Sequence, residues 1–263
     1  TKKIAKAKAE TMLVGVGYPD SWRDYSSLEV KRDDPLGNAL RAEEAEYRHQ
    51  TAKLGKAPDR KEWWMTPQTV NAVQLPLQNA MNFPAAILQP PFFDPKASDA
   101  VNYGAIGAVI GHEISHSFDA QGRLRDWWTK EDLEHFKAAS NKLIAQYSAY
   151  KPFPDLAVNG QLTLSENLAD LAGLAAAYDA YKVTESGKAS MTNGDREFFV
   201  GYGNTWRTKM REGAARQRIL TDGHSPGEYR TATVRNLDAW YKAFDVKPGQ
   251  KLYLAPEERV RVW

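Results

Sequence analysis

Between Ala105 and Phe118 the chain sets His112, Glu113 and His116 into an otherwise apolar run, Ala-Ile-Gly-Ala-Val-Ile-Gly-His-Glu-Ile-Ser-His-Ser-Phe. Such a run favours a buried helix, predicted here over residues 100–118. Residues four apart on a helix share one face, so both imidazoles point the same way. Two neutral imidazoles at that spacing can grip one zinc ion, and Glu113, beside the same face, can take a proton from water held there. The alternative is a helix that merely happens to carry these groups. It is unfavourable, because His and Glu are rarely buried without partners.

A zinc site built for chemistry needs three protein ligands and one open position. The chain has no cysteine, so a thiolate site is excluded. Known spacings can be tried in turn. A Gly three residues and a His six residues after His116 would make one pattern, but Asp119 and Gly122 stand there. A glutamate nineteen residues on would make another; that position is His135, and its neighbour Glu134 falls on the solvated side of a capped helix. The better candidate is Glu166 in Ser165-Glu166-Asn167-Leu168-Ala169-Asp170. Glu166 and Asp170 lie one turn apart on a nearly apolar helix, and a buried carboxylate pair needs a cation nearby. Glu166 would bind the metal, and Asp170 would hydrogen-bond a ligand histidine. A helix capped by Ser165 with a dipole-favoured first-turn glutamate explains Glu166 alone, but not Asp170 a turn deeper.

Peptide hydrolysis at zinc develops an oxyanion that wants a donor besides the metal. His224 offers one, with Asp222 two residues earlier to fix its tautomer, and Arg230 has the fork geometry to grip a peptide carbonyl. Taken alone, a histidine beside Gly223 and Pro226 is more often an ordinary surface residue. Asn71 and Ala72 are expected in an edge strand that could pair with an extended peptide, and an ordinary edge-strand asparagine reads the same way.

The remaining chain is helix-rich. Helices are predicted over 4–12, 36–56, 164–181, 198–211 and 237–244, with a further one after the capping box Thr129-Lys130-Glu131-Asp132. Lys2, Lys3, Lys6 and Lys8 read as the wet face of the first. Leu40, Ala45 and Leu54 are expected to pack the second against the outside of the core. Residues 14–19 read as a strand entering a turn, and residues 69–75 and 80–83 as a hairpin around Pro76. The class is α+β, mostly helical. At 263 residues with a net charge of +2, the chain can bury a real core and carries no basic stripe for nucleic acid. No run approaches the length of a membrane span. The sequence begins at Thr1 and not at a methionine; no signal-peptide pattern is read at its start, and the chain is expected to come from a longer precursor. The compartment stays open between bacterial periplasm or exterior and cytoplasm.

The runs Val70-Asn71-Ala72, Phe83 to Phe93, Val109 to His116, Glu166 to Asp170, Asp222 to Pro226 and Arg261-Val262-Trp263 together resemble the neprilysin and endothelin-converting-enzyme family of zinc endopeptidases, which includes bacterial PepO-type oligopeptidases. The resemblance runs from near Tyr18 to the last residue. It implies a thermolysin-like catalytic domain over 1–263 with a small sheet at the cleft edge. It also implies one zinc ion on His112, His116 and Glu166, Glu113 as general base and Asp170 behind a ligand histidine. His224, oriented by Asp222, would stabilise the oxyanion, and Asn71, Ala72 and Arg230 would hold peptide substrate. It further implies an N-terminal domain, absent here, that packs over the cleft. Val73-Gln74 stand where the family usually has tyrosines, Ser117 and Ala172 where it commonly has glycines, and Arg261 where it often has a cysteine. Two rivals to an endopeptidase are a zinc aminopeptidase and a non-enzymatic, zinc-stabilised peptide-binding module.

Overall fold

The computed structural model describes residues 1–119, 122, 124–185 and 193–262; Trp263, the end of the terminal match above, lies outside them. The described helices are α1 Lys2–Glu10, α2 Pro35–Thr51, α3 Asp99–Asn102, α4 Ala108–His116, α5 Lys130–Ser148, α6 Leu164–Glu185, α7 Gly194–Thr205, α8 Glu212–Thr221, α9 Gly227–Thr231 and α10 Asp238–Phe244. The strands are β1 Leu13–Gly17, β2 Val73–Leu75 and β3 Ala80–Pro84. The chain is thus mostly helical with one small sheet, as expected.

The predicted hairpin forms, β2 antiparallel to β3 with Val73 opposite Asn82. Sequence periodicity did not show that β3 lies in the middle. β1 adds on its other side in parallel, Leu13 opposite Ala80, which gives the order β1-β3-β2. All five residues of β3 are accordingly buried. Asn71 and Ala72, expected inside a strand, instead lead into β2; Ala72 is buried and Asn71 exposed.

The main core joins α5, α6, α7, α10 and the C-terminal tail through Leu143, Tyr147, Leu174, Phe198, Tyr202 and Val260. A smaller core lies between the sheet and α4, built from Met81, Phe83, Ile87, Ile106 and Val109. Thr129 caps α5 as predicted, its hydroxyl accepting from the Asp132 N–H at 3.2 Å. The helix expected over 100–118 is interrupted. Tyr103–Gly107 is a π-helical segment between α3 and α4, an insertion that pattern reading does not register because the apolar face stays continuous. The helix expected over 198–211 ends at Thr205, and α8 was not foreseen.

The packing expected of α2 does not occur within the described residues. None of its side chains is buried, and Leu40 is 62% exposed. Nor is Lys8 simply solvated: its ammonium donates to the Gly122 carbonyl at 2.5 Å, bracing the chain just beyond α4.

What positions the site is the crossing of α4 and α6. A Cβ on Gly111 would lie 2.4 Å from the Gly173 carbonyl oxygen, and one on Gly173 would lie 2.3 Å from the His112 nitrogen. Only glycine permits backbones this close. The contact seats His112 directly against the face of α6 that carries Glu166 and Asp170.

Candidate metal centre

His112 and His116 leave α4 one turn apart and Glu166 leaves the first turn of α6. The two Nε2 atoms are 3.0 Å from each other. Glu166 Oε2 stands 3.2 Å from His112 Nε2 and 3.4 Å from His116 Nε2. These three residues form a group whose ligand atoms all lie within 4.8 Å of one another. The far nitrogens fix the tautomers: His112 Nδ1 is 2.9 Å from Asp170 Oδ1, and His116 Nδ1 is 3.1 Å from Asp119 Oδ2. Each carboxylate takes an Nδ1–H, which leaves both Nε2 lone pairs aimed at Glu166. Glu166 Oε2 is buried with no hydrogen-bond partner among the described residues. Two imidazole acceptors that converge on an unsatisfied carboxylate oxygen fit a cation, and two imidazoles with one carboxylate form a ligand set suited to catalytic zinc.

Electrostatics agree. Burial alone would lower the His116 pKa, but the adjoining carboxylates of Asp119 and Glu166 raise it to about 10. Burial alone would raise that of Glu166, yet the imidazoles of His112, His116 and His224 hold it far below the ordinary carboxylate range. The centre therefore favours positive charge strongly. Glu113 behaves differently: it is 7% exposed, and burial pushes its carboxyl above the ordinary value against the pull of both histidines. A carboxyl so raised accepts a proton more readily than an ordinary one.

The surrounding side chains gather on one cleft of about 580 Å³, lined among others by Asn71, Ala72, Glu113, His224 and Arg230. His224 Nδ1 lies 2.8 Å from Asp222 Oδ1, and its Nε2 lies 3.1 Å from Glu166 Oε2. Glu134, the alternative third ligand, is exposed and pairs with Lys130 instead. Ser165 does not cap α6; its hydroxyl donates to Asp119 at 2.8 Å.

Two relationships escaped the sequence reading. Asp119 served there only to reject a spacing, yet it holds the second histidine as Asp170 holds the first. Its sole signal is an acid one turn past a metal-type histidine. Arg230, read only as a grip for a peptide carbonyl, is buried with its fork on Asp170, Nε to Oδ2 at 2.8 Å and a terminal nitrogen to Oδ1 at 2.6 Å. Its guanidinium also stacks 3.6 Å from the Trp206 ring. Nothing local pairs residues sixty positions apart.

Removing one member of a buried ion pair strands the other. Asp170→Ala leaves the Arg230 charge, 9% exposed, without its partner and should destabilise the protein by about 3–5 kcal/mol in denaturant titrations. It should also weaken zinc binding by about 10–100-fold, since His112 loses its acceptor. Burial would raise the Asp170 pKa, but Arg230 and His112 bring it below 3.8. Its contribution is therefore complete above the unfolded value and fades as pH falls through the lower folded one. A variant as stable as wild type at pH 7 would contradict the pairing.

Two imidazoles on one helix, a carboxylate on the helix crossing it and an acid one residue after the first histidine define a metallopeptidase-type centre on a helical scaffold. The comparisons agree. The profile of peptidase family M13 matches residues 71–260. Neprilysin-11 of Caenorhabditis elegans is 37% identical over all of this chain and 34% of its own length. Human endothelin-converting enzyme 1 is 35% identical, again over the whole chain and 37% of its own length. Among solved structures, Mycobacterium tuberculosis zinc metalloprotease Zmp1 in complex with an inhibitor superposes with a TM-score of 0.95 at 46% identity, covering 99% of this chain and 42% of that one. PepO from Lactobacillus rhamnosis gives 0.88 at 38% identity, covering 98% and 42%. The chain belongs to peptidase family M13, a family of zinc metalloendopeptidases. It spans 34–37% of the length of these curated relatives.

Proposed function

We propose that this chain carries the active site of a zinc-dependent endopeptidase or oligopeptidase acting on peptides and small polypeptides. The observation that carries the reading is the buried Glu166 Oε2, left without a hydrogen bond and facing two imidazole lone pairs, with Glu113 one residue after His112 on α4. His112, His116 and Glu166 hold the ion. Bound zinc acidifies water and polarises a carbonyl oxygen.

The chain's own groups supply the rest. Glu113 takes a proton from the attacking water and hands it to the leaving amine. His224, held in its protonated form by Glu166 and Asp222, keeps its Nδ1–H on Asp222 and donates its Nε2–H to the oxyanion that develops on the scissile carbonyl. Asp170 and Asp119 keep the ligand imidazoles in the correct tautomer. Among the described residues the outer edge of β2 is unpaired. It can hold an extended peptide by backbone hydrogen bonds, with Asn71, Ala72 and Arg230 fixing the register. Ile87, Phe92 and Val109 form an apolar wall of the same cleft, suited to an apolar side chain of the substrate.

A further part of the same protein, N-terminal to this catalytic domain, is proposed to cover the cleft. Supporting this are the greater length of the relatives and the apolar side chains exposed on β1, α2 and the rim. Val14, Leu36 and Trp64 are respectively 57%, 72% and 73% exposed.

Peptides with an acetylated amino terminus test the reading. They should be cut internally by the full-length protein with zinc bound, and kcat/KM should change less than about threefold on acetylation, because an edge strand reads backbone rather than terminus. Cleavage restricted to free amino termini would make the protein an aminopeptidase, and zinc-loaded protein that binds peptides without cutting them would leave only the binding module.

A further inference from the structure

Helix α6 meets the segment 224–230 through three polar contacts. Glu166 Oε2 faces His224 Nε2 at 3.1 Å, Asn167 Oδ1 accepts from the Ser225 hydroxyl at 2.8 Å, and Asp170 Oδ2 accepts from Arg230 Nε at 2.8 Å. The outer contact is partly solvated, the His224 side chain being 44% exposed. The middle one is sealed, with Ser225 3% and Asn167 1% exposed.

Asn167 is itself oriented. Its amide nitrogen donates to Thr163 Oγ1 at 2.9 Å, and Thr163 in turn donates to the Asn159 carbonyl at 3.0 Å. The amide oxygen is thereby turned toward the loop, and Ser225 must be the donor. Asp222 cannot substitute for this tie. It holds the His224 ring at 2.8 Å and the His224 N–H at 2.9 Å, which fixes the ring to its own loop. Its other partner is Arg218 on α8, a helix with Ile219 as its one buried residue. Among the described residues the loop's hydrogen bond to α6 beside His224 is that of Ser225; Gly227 then comes close to the Trp206 carbonyl, and five residues after Ser225 the chain is tied again by Arg230.

We propose that Ser225 and Asn167 form a clasp that positions His224 over the centre, Ser225 being a positioning residue and not a catalytic one. This rests on the peptidase reading, in which His224 donates to the developing oxyanion. A donor displaced by about 1 Å can lose on the order of 100-fold in rate. Its contribution is made in the transition state, so kcat and not KM carries the loss.

The test uses the full-length protein with zinc bound and a blocked peptide as substrate. Ser225→Ala should lower kcat by about 10- to 100-fold, leave KM within about twofold, and retain one zinc per chain. On a His224→Ala background the same change should have almost no further effect on kcat, because residues acting through one another are not additive. Should Ser225→Ala fail to fold by thermal melting, Ser225→Cys fills nearly the same space with a much weaker donor and takes its place. An unchanged kcat, or losses that multiply in the double variant, overturns the clasp. If His224→Ala alone keeps wild-type kcat, the oxyanion role itself is wrong and the clasp falls with it, an outcome distinct from a Ser225 that is simply idle.

Discussion

Glu113→Gln should hold zinc as wild type does while kcat on a blocked peptide falls by about 10²–10⁴-fold, the contribution typical of a positioned general base. Glutamine has the same shape and can still accept a hydrogen bond, but it cannot take up a proton. The surroundings make this a clean substitution. Glu113 is 7% exposed, and burial already pushes its carboxyl up, so a neutral amide is well tolerated there. Neither histidine ligand depends on it, because His112 and His116 are oriented by Asp170 and Asp119. Metal analysis beside steady-state kinetics separates the two effects. Full turnover in the variant would remove Glu113 from the chemistry, and lost zinc would place it in metal binding instead.

Stripping zinc with a chelator should abolish turnover and lower the melting temperature by roughly 10 °C, from about 4 kcal/mol of binding free energy at a thousandfold excess over Kd. One equivalent of zinc should restore both. Glu166→Ala should mimic the stripped protein and resist rescue at micromolar zinc, since two imidazoles remain. The site's preference for positive charge gives the pH dependence. Zinc must displace protons from imidazoles whose pKa values the carboxylates raise, His116 to about 10, so binding should weaken as pH falls. Melting curves with and without zinc from pH 8 to pH 5.5 should converge toward the acid end. A zinc-dependent shift that is constant across that range would mean the imidazoles are not the ligands.

How much of this could be read from the chain follows from how far each relationship reaches. The histidine pair, the capping box before α5 and the Glu166–Asp170 spacing are local, fixed by helical period and residue type. The third ligand was reached by chemistry, because a carboxylate pair among leucines and alanines needed a cation. The Asp170–Arg230 pair, the Ser225–Asn167 contact and the parallel pairing of β1 with β3 join distant segments through tertiary packing, and no window of sequence contains them. The π-segment at Tyr103–Gly107 was hidden for another reason: its extra residue shifts backbone hydrogen bonds while the run stays apolar. The assignment of Asn71 and Ala72 to a strand failed by two residues, since pairing begins at Val73.

The Gly111–Gly173 crossing has a bearing on how this centre tolerates change. Main chain rests on main chain there, so the gap between the rod bearing both imidazoles and the rod bearing the acids is independent of side-chain volume. Neighbouring leucines, alanines and aromatics can drift in size while the coordination distances stay put. A single methyl at either glycine would pry the two rods apart and spoil the grip without touching any ligand.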